Sequence, residues 1–564
     1  MIEKNSRIIL EESQNDFLYK KKKSNLNITF NRIGFIFFVF FIIFIIYSIH
    51  LTHLGSRKSK IEINNKINEP LNNLYRADIV DRNGKYLVKT VSSIDIGIST
   101  KKVIDKKKLL INLKYIFPNK DYDSVKKKIE RGNFFYFEKK VSEEEYEKLM
   151  KLGDKSIEPR ENIIRLYPQK NLFSHIIGQI DNDNNGISGL EKSLDDELKK
   201  KDKPLKLTVD TNVQYLIRNE LVRFNKIFQA KGSGSILMNI HNGEILSFVS
   251  LPDFDLNLRK QITDKNFINR ISKGKYELGS VFKPFTYAAA LEMGLIEPET
   301  EFKNLPKSID CAGFPIREYD EKIPTNLTAE QILIRSGNIG SVKIAQKIGE
   351  ERFKNFLEKI GVVGNIDFDI EEVAPYKNFS MTKCKLETTS FGHGISTTLL
   401  NLAKGYSIIS NGGYNVNPRL VNEGKDTFKI NKDLILQKDV SGKVIRALRK
   451  TVTNEEGTAG LANVQGYEVA GKTGTAEQVI DGQYSKTKIN TFASIFPSSN
   501  PKYVLIVMLD SPKGSSNYVY NYRNKEGNYK GTPFNTAGWT SVEVAGQIIE
   551  KIGPILATKY LQIY

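Results

Sequence analysis

At 564 residues the chain is too long for a single hydrophobic core, and two or three domains are expected. Its net charge of +19 comes mostly from lysines spread along the chain, with no basic cluster after the first apolar segment, which argues against nucleic acid as a partner. A solvated lysine-rich surface is the plainer reading, with attraction to an anionic membrane or polymer second. Cys311 and Cys384 specify no disulfide framework and either pair or stay apart. The histidines form no spaced ligand set, so no metal site is expected.

Residues 1–32 are polar, ending in the basic tract Lys20–Lys23 and Arg32. Residues 33–51 are almost wholly apolar (IGFIFFVFFIIFIIYSIHL), long enough for one bilayer crossing and without the small residues of a cleavage site. The preceding basic residues predict a cytoplasmic N-terminus, with the rest of the chain across the membrane.

Residues 52–204 mix short strand-like and helical patterns. Ile79-Val80 before Asn83-Gly84 predicts a strand and turn, and helices are predicted over 105–116, 122–129 and 142–152. A further helix is expected to follow Gly189-Leu190-Glu191, through Leu198. Nothing in this stretch has the makings of a catalytic site. From Leu205 the pattern changes: a strand over 205–209, a helix over 212–224, and a hairpin whose strands flank Asn242-Gly243. Helices are predicted over 328–334, 339–348, 399–410 and 542–552. Strands are predicted over 467–475, 490–496 and 503–509, with a turn at Asp481-Gly482. Residues 518–529, rich in Tyr and Asn, are expected to form a mobile loop near a cleft. This order fits a mainly antiparallel sheet of early and late strands with helices between them.

Three motifs carry chemistry. Ser280-Val-Phe-Lys283 opens an apolar run, so that a helix would put hydroxyl and amine one turn apart on the same face. A serine becomes a nucleophile when a neighbouring base takes its proton, and lysine serves only if burial or positive charge keeps it neutral. Ser336-Gly-Asn338 offers a hydroxyl and a carboxamide on one turn. Gly471-Lys472-Thr473-Gly474-Thr475 offers an ammonium, two hydroxyls and a strand on which a substrate backbone can lie. Singly they are weak, since Ser-x-x-Lys recurs at Ser99/Lys102 and Ser272/Lys275 among others. Residues 466–473 also satisfy the phosphate-loop pattern, but no strand signal precedes them and Gly474 stands where a helix should begin, so nucleotide binding is rejected.

Together and in this order the three motifs match the signature of penicillin-binding proteins and serine β-lactamases. From residue 76 the chain resembles a class B penicillin-binding protein. The carriers outside the three motifs are Arg76-Ala-Asp-Ile-Val-Asp-Arg-Asn-Gly84, Arg165-Leu-Tyr-Pro168, His175-Ile-Ile-Gly178 and Gly186-Ile-Ser-Gly-Leu-Glu191. Phe391-Gly-His-Gly-Ile395, Gly471 through Glu477 and Thr491 through Pro497 are most similar to the cell-division, FtsI-type branch. Ala77, Leu278 and Val281 stand where the family usually has glycine, proline and threonine.

The resemblance implies an α+β fold: a transpeptidase domain with an antiparallel sheet flanked by helices (205–564), an α+β N-terminal pedestal (52–204), one transmembrane helix (33–51) and a cytoplasmic tail (1–32). The N-terminal motifs would brace pedestal against catalytic domain. It implies a D,D-transpeptidase of the inner membrane, catalytic domain periplasmic, that cross-links peptidoglycan stem peptides during septal wall synthesis and is acylated by β-lactams. Ser280 would attack the penultimate D-Ala carbonyl, Lys283 accept the serine proton, and Ser336 pass it to the leaving D-Ala. Lys472, Thr473, Gly474 and Thr475 would bind the terminal carboxylate and substrate backbone, Asn338 the donor amide. Backbone N–H groups of Ser280 and Thr475 would form the oxyanion hole. No cofactor is implied, and an FtsW-type glycosyltransferase with other divisome proteins would be partners. His393 is expected to be a loop histidine near the cleft and Trp539 a core residue without a role. An elongation-type transpeptidase and a non-catalytic scaffold or sensor are the alternatives.

Overall fold

The computed structural model describes residues 23–56, 75–258, 265–376, 384–422, 433–480, 483–523, 526–531 and 534–560. The predicted turn at 481–482 and residues 1–22 of the predicted tail lie outside them. Two compact units emerge, residues 1–72 and 73–564. The described part of the first is helix α1, Lys23–Ser56. Within it Gly34–Thr52 has a mean hydropathy of 2.6 and buries none of its residues, so it is long and apolar enough to cross a membrane.

The second unit begins with a sheet of β1 (Ile79–Val80), β2 (Tyr86–Ile98), β3 (Phe135–Val141), β4 (Ile157–Leu166) and β5 (Leu205–Lys206). The long β2 pairs antiparallel with β1, β3 and β4, while β1 runs parallel to β5. Helices α2 (Lys106–Ile116), α3 (Tyr122–Glu130) and α4 (Glu143–Lys151) pack on one end of it, each opened by a side-chain cap on Asp105, Asp121 or Ser142. Their buried faces, including Leu109, Leu113, Val125, Ile129 and Leu149, meet Ile96, Ile98 and Phe137 in a small core. The helix expected after Glu191 begins earlier and is two short ones, Gly189–Ser193 and Asp195–Lys200, broken at Leu194.

The N-terminal motifs converge on one buried ion cluster. Glu191 receives Arg76 Nη2 at 2.7 Å and Arg165 Nε at 2.8 Å, and neither the Arg76 nor the Glu191 side chain is exposed. Asp81 accepts from the backbone and hydroxyl of Thr211, the first residue of α5 (Thr211–Ile227). Asn83 donates to Asp210, the cap of the same helix, so this motif fastens the first sheet to α5.

The larger sheet is fully antiparallel and contains β6 (Gly232–Asn239) and β7 (Ile245–Leu251). After these come α6 (Lys283–Glu292), the hairpin β8 (Ser308–Cys311) and β9 (Phe314–Arg317), then α7 (Ala329–Ile334), α8 (Asn338–Ile348), α9 (Leu399–Ser410) and α10 (Lys438–Thr453). Strands β10 (Ala470–Ile480), β11 (Gln483–Phe496) and β12 (Tyr503–Asp510) complete the sheet in the order β10-β11-β12-β6-β7. The final helix is α11 (Ser541–Lys559). The nearly all-apolar β12 follows from cover on both faces: Leu505, Val507 and Leu509 join α5 and α11 in one core, while Val504, Ile506 and Met508 join α6, α8 and α9 in the other.

The last sheet strand before the hairpin turn starts at Ala470, three residues later than predicted, and continues past Thr475 to Ile480. Within and just past residues 518–529, where a loop is expected, two short strands, Val519–Asn521 and Asn528–Lys530, pair antiparallel, with Tyr520 fully buried. Cys311 and Cys384 pair, tying β8 to the segment before a short helix at Lys385–Thr389.

Candidate active site

The chain does not enter a regular helix at Ser280. Gly279–Phe282 forms a 3-10 turn, and α6 begins only at Lys283. With three residues per turn, the side chains three apart eclipse, so Ser280 and Lys283 still share one side. Two glycines let other segments close on this turn. A Cβ on Gly474 would lie 2.2 Å from the Leu278 carbonyl oxygen, and one on Gly392, whose φ is +79°, would lie 2.1 Å from the Gly279 carbonyl oxygen. β10 and the 391–394 turn therefore rest directly against the residues that carry Ser280.

Lys283 is buried, and its Nζ donates to the Ser336 carbonyl oxygen at 2.5 Å, to Asn338 Oδ1 at 2.7 Å and to Ser336 Oγ at 3.2 Å. Lys472 Nζ donates to the same Ser336 Oγ at 2.8 Å and to the Thr473 carbonyl oxygen at 3.2 Å. Ser336 holds its position in the left-handed region, with φ +59°, an unfavourable conformation for a side chain with a Cβ that the surrounding contacts maintain. Burial pushes the Lys283 amine down to about 7, against the opposing pull of the Glu318 carboxylate. Burial, and then the positive charge of Lys283, hold Lys472 well below the ordinary lysine range.

Ser280, Ser336, Asn338, Thr473 and Thr475 line one cleft of about 760 Å³. Among the described residues the Ser280 hydroxyl makes no hydrogen bond. β10, among the described residues, is an edge strand paired with β11 alone, which leaves its outer backbone to an extended peptide. Side chains alternate along the strand, so Lys472 and Gly474 share the face that meets Ser336 and Leu278, and Thr473 and Thr475 the opposite one. The Thr475 hydroxyl accepts from the Ala537 N–H at 2.9 Å, leaving its own proton to donate. The Thr473 hydroxyl lies 2.7 Å from that of Thr458. Gly474 packs against the Ser280 turn and does not line the cleft. The phosphate-loop reading fails here as expected, because Lys472 sits inside a strand and not at the start of a helix.

Several lining residues escaped the sequence reading. Tyr319 and Thr458 reach the cleft from segments with no motif, and Trp539, expected in the core, lines it while packing on Tyr520 and Tyr529. His393 also lines the cleft, on the glycine turn, stacked on Tyr484 with ring centroids 4.7 Å apart and with Nδ1 3.5 Å from Glu277. Glu318 accepts hydrogen bonds from the N–H groups of Asn338 at 2.6 Å and Ile339 at 2.9 Å. No local pattern marks it.

The arrangement can acylate a serine: a nucleophile at a cleft, a buried lysine of depressed basicity, a second lysine sharing a serine relay, and an edge strand for a peptide. Comparison with known proteins agrees. The penicillin-binding protein transpeptidase domain matches residues 234–529 and the penicillin-binding protein dimerisation domain residues 72–226. A probable peptidoglycan D,D-transpeptidase FtsI of Caulobacter vibrioides is 28% identical over 498 residues, covering 86% of this chain and 82% of that protein. The stage V sporulation protein D of Bacillus subtilis is 29% identical over 485 residues, 78% of this chain and 75% of that protein. A probable peptidoglycan D,D-transpeptidase PenA of Neisseria meningitidis is 27% identical over 435 residues, 70% and 73% of the two chains. With both family domains in their expected order after one apolar helix, the chain belongs to the class B penicillin-binding proteins and is a penicillin-binding peptidoglycan D,D-transpeptidase.

Proposed function

We propose that this transpeptidase cross-links stem peptides at the division septum, with Ser280 as its nucleophile. The observation that carries the catalytic reading is the sharing of Ser336 Oγ by Lys283 and Lys472 beside a cleft that Ser280 lines. Ser280 attacks the carbonyl of the penultimate D-Ala, and Lys283, whose amine is pushed down to about 7 and so has a substantial neutral fraction near neutral pH, takes the hydroxyl proton. The tetrahedral oxyanion is held by the N–H groups of Ser280 and Thr475, each such donor typically worth about 3 kcal/mol. Ser336, between the two amines, hands the proton to the departing D-Ala nitrogen. The acyl-enzyme then passes to an amine of a neighbouring stem peptide, whose proton returns by the same relay. Lys472 supplies positive charge to the D-Ala carboxylate, which the Thr473 and Thr475 hydroxyls hydrogen-bond, and Asn338 holds the donor amide.

The septal assignment draws on the similarity to the FtsI protein of Caulobacter vibrioides. With it goes a division into a cytoplasmic tail at 1–32, a span at 33–51, a pedestal at 52–204 and a periplasmic catalytic domain at 205–564, anchored in the inner membrane. An FtsW-type glycosyltransferase and other divisome proteins are the partners of this reading. Depletion of the protein tests it: cells that elongate into filaments without septa support the septal role, and cells that round up and swell assign the protein to side-wall growth. A Ser280→Ala protein that restores growth without turnover would instead make it a scaffold.

A further inference from the structure

The relay at Ser336 sits on a turn that its own backbone ties back to α7, Ser336 N–H donating to the Leu333 carbonyl oxygen and Gly337 N–H to that of Ile332, while the start of the next helix is held from elsewhere. Asn338 opens α8, and the first N–H groups of a helix have no partner within it. Here Glu318, immediately after β9, fills that role. Its Oε2 accepts from the Asn338 N–H at 2.6 Å and its Oε1 from the Ile339 N–H at 2.9 Å. The same strand end grips the Asn338 side chain, whose Nδ2 donates to the Arg317 carbonyl oxygen at 2.9 Å. Tyr319, the next residue, donates its hydroxyl to the Arg335 carbonyl oxygen at 3.0 Å. Three consecutive residues thus bracket Ser336 and Asn338 from both sides.

We propose that Glu318 is a positioning residue of the acyl transfer: its carboxylate clamps the Ser336–Asn338 turn over Lys283 and supplies, among the described residues, the negative charge that faces that amine. The inference rests on the catalytic reading given above. The charged groups facing Lys283 are Lys472 from β10 and Glu318 from the end of β9; α8 presents only the neutral Asn338, and α6 adds no charge of its own there. Burial drives the Lys283 proton off. Glu318 opposes it, and so keeps the amine able to collect the serine proton near neutral pH.

The test uses the full-length protein in detergent micelles. The second-order rate of acylation by a fluorescent penicillin is followed from about pH 5.5 to about pH 9, for the wild type, Glu318→Gln and Glu318→Asp. The Gln side chain keeps the shape, removes the charge and can accept only one of the two backbone N–H groups. Its acidic limb is expected at lower pH than that of the wild type, with the maximal rate reduced about tenfold or more by the loosened turn. The Asp side chain keeps the charge at shorter reach, so its limb stays in place while its rate falls. A Gln variant with an unmoved limb and an unchanged rate overturns the proposal. If the Gln variant does not fold, the Asp variant decides: a rate equal to that of the wild type overturns the proposal, and a reduced rate on an unmoved limb supports it. Failure of the underlying reading is recognised separately, because Ser280→Ala protein would then still be labelled.

Discussion

Ser336 Oγ accepts from Lys472 Nζ at 2.8 Å and from Lys283 Nζ at 3.2 Å, and the Lys472 amine reaches the Thr473 hydroxyl only at the limit of a hydrogen bond, 3.5 Å. The hydroxyl is therefore a bridge between two buried lysines. Ser336→Ala removes the bridge and leaves two amines facing a methyl group. General acid–base contributions of this kind are worth about 100-fold or more. Stopped-flow acylation by a chromogenic penicillin is expected to slow by that order, with the fold retained by circular dichroism.

The pH dependence follows from Lys283. Its amine is pushed down to about 7 by burial, so it is neutral above that pH and able to accept the Ser280 proton. Below it the amine is protonated and cannot act as a base. The acylation rate of the free enzyme is expected to fall about tenfold for each pH unit below this point. A rate that stays flat down to the carboxylate range would assign the proton to another group.

Gly392 tests the packing behind the nucleophile. A methyl group at this position meets the Gly279 carbonyl oxygen at 2.1 Å, on a residue whose φ is +79°. Gly392→Ala has to displace the Ser280 turn or distort its own loop, at a cost of about 1–3 kcal/mol. Both a lower melting temperature and slower acylation are expected, although residue 392 carries no reacting group.

The ion cluster of the N-terminal motifs contributes to folding and not to chemistry. Glu191→Ala strands the buried Arg76 and Arg165 without their shared carboxylate. Removing one partner of such a cluster costs about 3–5 kcal/mol. Thermal unfolding is expected to begin well below the wild-type temperature, while the fraction still folded is acylated at the wild-type rate.

Much of the catalytic domain was legible because its elements are amphipathic or uniformly apolar over long runs. The helix over 399–410 was read to the residue, and β11 and β12 in their correct order. α10 was missed: Gly442 and the β-branched Thr451-Val452-Thr453 weaken its helical signal, and packing of Val444, Ala447 and Leu448 against the core forms it nonetheless. Lys283, Ser336, Asn338 and Lys472 could be named from three short motifs whose order is the signal. Tyr319, Thr458 and Trp539, which line the cleft, and Glu318, which holds the start of α8, could not, since each comes from a segment whose local pattern is that of an ordinary turn or strand end. The disulfide belongs to the same class, because two cysteines 73 residues apart carry no information about the loops that bring them together.

One hydroxyl in this chain, that of Ser280, forms the acyl bond in the proposed mechanism. Intact-mass measurement of full-length protein treated with benzylpenicillin, followed by peptide mapping, tests it directly. The account predicts a single adduct on the peptide containing Ser280, and none after Ser280→Ala. An adduct that persists in the Ala variant, or that maps to Ser336, would contradict it.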